Sequence, residues 1–215
     1  MPSLPNVKAS NASYAPSYIP TAVFIGGTSG IGQAMAELFA KQTNGRANII
    51  LIGRNKAPAE KIIASFPSPP DGVKHEFVEC DASELEKVHN TSQELLQRLD
   101  KINILVLCAT KLLFSAVETP EGLESSMVTR YYSRAKFATE LLPLLKNAQA
   151  KGEDARVLTI LGAAMGRQVD LTDLGVKKWK INRMAFHTGT FNDIMVKVRL
   201  SVGFARTYHH IPQAT

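Results

Sequence analysis

The sequence predicts an α/β fold: an open, doubly wound parallel sheet of six strands with a single layer of helices on each face. Three observations predict it. From Thr21 onward, short apolar runs alternate with longer amphipathic ones, the order of repeated strand–helix–strand units. The short runs are continuously apolar rather than alternating, as strands covered on both faces should be. The chain of 215 residues, 45% hydrophobic and 20% charged, is one domain's worth, able to bury about 70% of its unfolded surface.

Residues 1–20 hold four prolines (Pro2, Pro5, Pro16, Pro20) and no periodicity, which predicts an extended arm before a domain over 21–208. TAVFI at 21–25 is short, apolar and β-branched, hence a buried strand. Ile31, Met35, Leu38 and Phe39 share one helix face over 30–42. ANIILI at 47–52 is a second strand. A short helix over 57–66 is closed by Pro67, Pro69 and Pro70, and 75–80 is a third strand. Ser83 to Glu86 fits a capping box, with Leu85, Val88, Leu95, Leu96 and Leu99 continuing as an apolar stripe. Strand four spans 102–108. Thr119-Pro120 reads as an N-cap followed by proline at the first helical position, opening one long helix to about Leu145. Strand five covers 156–161, a helix starts near Asn182, SVGFARTY at 201–208 reads as strand six, and 209–215 is a tail.

Composition excludes several classes. Gly and Pro total 25 residues, too few for collagen or low complexity, and two cysteines cannot build a disulfide scaffold. The apolar runs fall far short of the ~18 residues of a membrane span, and no secretory leader precedes the first strand. The expectation is a soluble, cytoplasmic protein with no membrane partner. The net charge of +6 resides in 177–206, where seven basic residues face the single acid Asp193. No aromatic interleaving or DNA-binding motif accompanies it, so a solvated face or an anionic ligand is expected and not nucleic acid. No metal is expected: His75-Glu76 lies in a strand pattern, and His209-His210 lacks a third ligand.

Ligands of open parallel sheets bind at the carboxyl ends of the strands. After strand one comes Gly26-Gly27-Thr28-Ser29-Gly30-Ile31-Gly32. Glycines there permit a tight turn and close approach of backbone to a diphosphate at a helix N-terminus; a plain structural turn is the alternative. After strand two, Arg54 suits a ribose 2′-phosphate, hence NADP over NAD, or is a solvated loop cation. After strand three, Asp81 can accept from an adenine amino group or cap the next helix, and both can hold.

Gly26, Gly30 and Gly32, with Arg54 and Asp81 behind them, resemble the T-G-x-x-x-G-x-G fingerprint of the short-chain dehydrogenase/reductase family, and the likeness extends from Thr21 to Tyr208. The arm, FIGGTSGIG at 24–32 and the stretch 121–145, with its Tyr131-Tyr132-Ser133-Arg134 and leucine-rich 140–145, further resemble fungal members, several of them linked to secondary-metabolite biosynthesis. The resemblance implies a Rossmann-like fold and a small-molecule carbonyl or alcohol substrate. It also implies a homodimer or homotetramer, with the helix ending near Leu145 as the contact surface. Carried over by position, Gly26, Ser29, Gly30, Ile31 and Gly32 would cradle the diphosphate, Arg54 the 2′-phosphate and Asp81 the adenine. Ala109 alone survives from the N-N-A-G stretch, which here reads Leu107-Cys108-Ala109-Thr110.

The departures are as informative. Ile25 replaces the threonine that opens the fingerprint, and Gly162 stands where the catalytic serine should. No tyrosine occurs between 162 and 200; Trp179 or Lys180 occupies the expected neighbourhood. The single Y-x-x-x-K, Tyr132 to Lys136, precedes strand five, on a helix that commonly packs between subunits in the family. Those two residues are the conditional catalytic candidates. Family members continue beyond strand six, so the chain reads as C-terminally short. Two functions follow: an NADP-dependent oxidoreductase, or a nucleotide-binding pseudoenzyme or truncated non-catalytic homologue.

Overall fold

In the computed structural model, which describes residues 3–111, 115–162, 165–178 and 180–197, the strands are Thr21–Ile25 (β1), Asn48–Gly53 (β2), His75–Glu79 (β3), Ile104–Leu107 (β4) and Arg156–Thr159 (β5). They form one parallel sheet in the order β3-β2-β1-β4-β5. Phe24 pairs with Leu51 on one side and Val106 on the other, which puts β1 at the centre. The sheet is therefore five-stranded among the described residues. The sixth expected strand, 201–208, and the tail 209–215 lie outside them.

The helices are Leu4–Ala12 (α1), Gly30–Gln42 (α2), Lys56–Ala64 (α3), Leu85–Arg98 (α4), Ser125–Met127 (α5), Ser133–Glu140 (α6), Leu142–Ala150 (α7) and Ile181–Met195 (α8). Alternate strand residues point to opposite faces, so the continuous apolar runs serve two cores. Val23, Ile25, Ile50, Ile52, Leu105 and Leu107 pack with Val88 and Leu95 of α4, Phe137 of α6 and Leu144 and Leu145 of α7. Ala22, Phe24, Ile49, Leu51 and Val106 pack with Ala36 and Ala40 of α2 and Ala59 and Ile62 of α3. Small residues on α2 let that helix lie close to the sheet. No helix among the described residues is long and apolar enough to cross a membrane.

Three local readings are corrected. The arm is not extended throughout: α1 forms over Leu4–Ala12, with Ser3 as N-cap accepting from Asn6 N at 3.4 Å and proline in the first turn. Proline is tolerated there because its missing N–H has no helical partner, and none of the α1 residues is buried. The long helix does not open at Thr119. Thr119 and Pro120 begin a tight turn in which Gly122, at φ +74°, donates its N–H to Thr119 O. Proline's fixed φ suits the second position of such a turn as well as the first turn of a helix. The helix starts at Ser125 under the Glu124 cap, passes through a π-helical turn at Val128–Tyr132, breaks at Leu141 ahead of Pro143, and runs on to Ala150. The capping box at Ser83 is not formed either. Ser83 bonds Asp81, α4 begins at Leu85, and the Glu86 amide is met from a distance by Glu121 Oε1 at 2.9 Å.

Candidate functional site

The carboxyl ends of all five strands open into one cleft of about 740 Å³. The turn after β1 forms its floor. Gly26 has φ +85°, and a Cβ there would lie 2.6 Å from Ala109 N; Gly32 is buried, and its Cβ would lie 2.2 Å from Gly26 O. Backbone thus crosses backbone at two points where no side chain fits. Gly30, at φ +57°, opens α2, and an added Cβ would meet nothing within 4 Å, so its outer face is free space. Ser29, the N-cap, makes no side-chain cap bond, which leaves the amino end of α2 available to an anion.

The structure brings the sequence-derived binding residues to this cleft. Gly26, Ser29, Gly30 and Ile31 line it from β1, Arg54 from β2, Asp81 from β3 and Ala109 from β4, with Gly32 just beneath. Ile31 is 61% exposed, an apolar side chain left at the mouth. Asp81 does not cap α4, whose N-cap is Glu84; its Oδ1 accepts instead from Ser83 N at 2.9 Å and Ser83 Oγ at 2.7 Å, in the turn before that helix. Burial pulls the Asp81 carboxyl upward, but the Ser83 bonds and the nearby Arg54 and Lys111 charges outweigh it and hold it below its ordinary value. Cys80 and Cys108 also line the cleft as free thiols, both pushed up by burial.

Tyr132 and Lys136 are not brought to it. Tyr132 packs near Met127, Val176 and Met184, with the Tyr131 ring 5.3 Å away; burial, with Tyr131 adding to it, raises its hydroxyl pKa. Lys136 pairs with Glu140 at 2.6 Å, and Glu140 also meets His89 of α4. Tyr132→Phe is therefore expected to leave coenzyme affinity and any turnover within about twofold, read by titration and initial rates, because the hydroxyl reaches no cleft group. Gly162 lines the β5 side without a hydroxyl, and a Cβ there would meet Met165 Sδ at 2.3 Å.

Two arginines on the helical stretch between β4 and β5 were not recognised as site residues from sequence. Arg134 is 1% exposed. Its guanidinium donates to Leu107 O (2.8 Å), Thr159 Oγ1 (2.7 Å), Ala109 O (2.9 Å) and Ile160 O (2.9 Å), tying the ends of β4 and β5 together. Desolvation lowers its pKa to about 10. Arg130, one turn earlier, lines the cleft beside Thr110 and Lys111. The signal was present: Arg130 and Arg134 are four apart, and no acid lies three or four residues from either.

The short chain dehydrogenase family model matches residues 20–170. The chain belongs to that family. It is 28% identical over 214 residues to "Oxidoreductase andH" of Emericella variicolor, covering 97% of this chain and 62% of that protein. It is 33% identical over 178 residues to "Oxidoreductase AN1596" of Emericella nidulans, covering 82% of this chain and 52% of that one. The chain thus spans somewhat over half the length of these curated relatives. Its fold matches a short-chain dehydrogenase from Sphingobium yanoikuyae in complex with NADPH, at TM-score 0.62 and 20% identity, over 86% of this chain and 67% of that one.

Proposed function

We propose that the chain binds NADP in this cleft and acts as an NADP-dependent oxidoreductase on a carbonyl or alcohol of a small metabolite, in the cytoplasm and within secondary-metabolite biosynthesis. One observation carries the reading: Arg54 and Lys111 line the cleft near Asp81, the one carboxylate among its described lining residues, beside a glycine turn whose outer face is open. A dinucleotide with an added phosphate brings about four negative charges to such a site. Gly26, Ser29, Gly30, Ile31 and Gly32 would hold the diphosphate through backbone and the α2 amino end. Arg54 would take the 2′-phosphate, and Asp81, with Oδ2 left over from its Ser83 bonds, the adenine amino group. Ala109 would wall the β4 side. When bound, the coenzyme supplies hydride chemistry; the chain's own residues bind it, orient it and shape what reaches it. Self-association as a homodimer or homotetramer belongs to the same reading.

A second reading, coenzyme binding without turnover, is favoured by the lining itself. It includes no tyrosine or histidine among the described residues, and Gly162 offers no hydroxyl. A thermal-shift titration tests the shared step. A coenzyme at one hundred times its Kd stabilises by about 2.7 kcal/mol. NADPH is expected to raise Tm more than NADH does, and Arg54→Glu to reverse the order. Equal shifts in the native chain would remove Arg54 from the 2′-phosphate. NADPH oxidation over a panel of carbonyl compounds then separates the two readings.

A further inference from the structure

The β4–β5 side of the cleft holds a cation that pairs with no carboxylate among the described residues. Arg130 sits half-buried on the π-helical turn and lines the cleft with Thr110, Lys111 and Gly162. Its Nε donates to Thr188 Oγ1 at 3.0 Å, and one terminal nitrogen reaches Thr110 Oγ1 at 3.4 Å. Both partners are neutral hydroxyls. No carboxylate pairs with Arg130 among the described residues. Burial lowers its pKa with no acid opposing. Arg134, one turn on, adds a second buried positive charge, and its bonds go to carbonyls and a hydroxyl.

Asp81, the one carboxylate among the lining residues described, follows β3, on the other side of the sheet order. Three strand spacings separate β3 from β4, about 14 Å. Arg54 and Lys111, not Arg130, act on that carboxyl. A partly desolvated cation with only neutral partners is costly, and a bound anion recovers that cost. With Nε held by Thr188, the terminal nitrogens of the fork present parallel donors suited to a planar, bidentate acceptor. Ile160 and Leu161 supply an apolar wall on the same side.

We infer that Arg130 is a specificity residue that grips a carboxylate on the ligand occupying the β5 side of the cleft, so that the substrate is an apolar organic acid. The inference rests on the coenzyme reading above, which gives the diphosphate to the glycine turn and the 2′-phosphate to Arg54, leaving Arg130 for the second ligand.

Benzoate and its neutral isostere benzamide are the probes. Each is titrated into the full chain by calorimetry, with and without saturating NADPH. The series is repeated on Arg130→Gln and Arg130→Lys, with circular dichroism showing each variant folded. The native chain is expected to favour benzoate by about tenfold or more. Arg130→Gln should level the two probes. Arg130→Lys should keep a weaker preference, since the charge remains and the fork is lost. NADPH affinity should stay within about threefold throughout, as expected of a residue off the coenzyme. Three results would overturn the inference: no preference in the native chain, a preference that survives Arg130→Gln, or an NADPH loss of about tenfold or more in Arg130→Gln, which would assign Arg130 to a coenzyme phosphate. Failure of the native chain to bind NADPH would sink the coenzyme reading instead, and the nucleotide-free titration would still decide the role of Arg130.

Discussion

Arg134→Ala is expected to destabilise the chain by about 3–5 kcal/mol, the range for removing one member of a buried, charged hydrogen-bond network. The side chain is fully buried and donates to four oxygens at the ends of β4 and β5: Ala109 O, Ile160 O, Thr159 Oγ1, and Leu107 O, which also accepts from Ile160 N. Without it those acceptors face a cavity where water must substitute or the bonds go unmade. For a chain of this size the loss corresponds to a fall in Tm of roughly 10 °C. Urea denaturation should show a lower midpoint at an unchanged slope. Arg134→Lys should recover only part, because an ammonium has three donors and no planar fork. Because Ala109 and Ile160 also line the cleft, coenzyme affinity should fall along with stability. A loss below about 1 kcal/mol would mean that the buried guanidinium merely fills space.

Gly32→Ala should have the largest effect on binding. The new Cβ would lie 2.2 Å from the Gly26 carbonyl oxygen, a backbone atom with nowhere to go. Either the turn opens or α2 moves off the sheet, and overpacking of this kind costs about 1–3 kcal/mol. Both movements displace the amino end of α2, where the diphosphate would rest, and NADPH affinity should fall by about a hundredfold or more. Gly30→Ala is the control. Its Cβ would enter open space, so the expected cost is the roughly 1–2 kcal/mol of a left-handed residue, with a smaller loss of affinity. If the two variants bound NADPH equally well, the close crossing at Gly32 would not be what shapes the site.

Much of this architecture could be read from the chain. The runs at β1, β2 and β4 are apolar without a break because each strand feeds two cores, and that pattern predicted a parallel sheet before any register was known. The glycine turn was legible because Gly26 and Gly27 directly follow a strand and Gly30 and Gly32 open an amphipathic helix. What failed was local and had competing solutions. Thr119-Pro120 suits a helix start and a tight turn equally, and the antiparallel Glu118–Glu124 bridge that closes over it decides for the turn. Ser83 suited a cap until Asp81 claimed its hydroxyl and Glu121 reached across from 35 positions away. Arg134 was invisible as a structural residue because arginine is rarely buried, and its partners are carbonyls that a sequence does not display. Tyr132 and Lys136 had the right spacing, but spacing on a helix does not say which way the face points; the structure turns one toward Met127 and Val176 and the other toward Glu140.

Direct titration of the purified chain with NADPH and with NADH at low ionic strength tests the central claim most simply. Arg54 and Lys111 in the cleft, with its glycine floor, predict saturable NADPH binding, tighter than NADH by about tenfold or more, and weakened by salt. No binding of either coenzyme at millimolar concentration would contradict it.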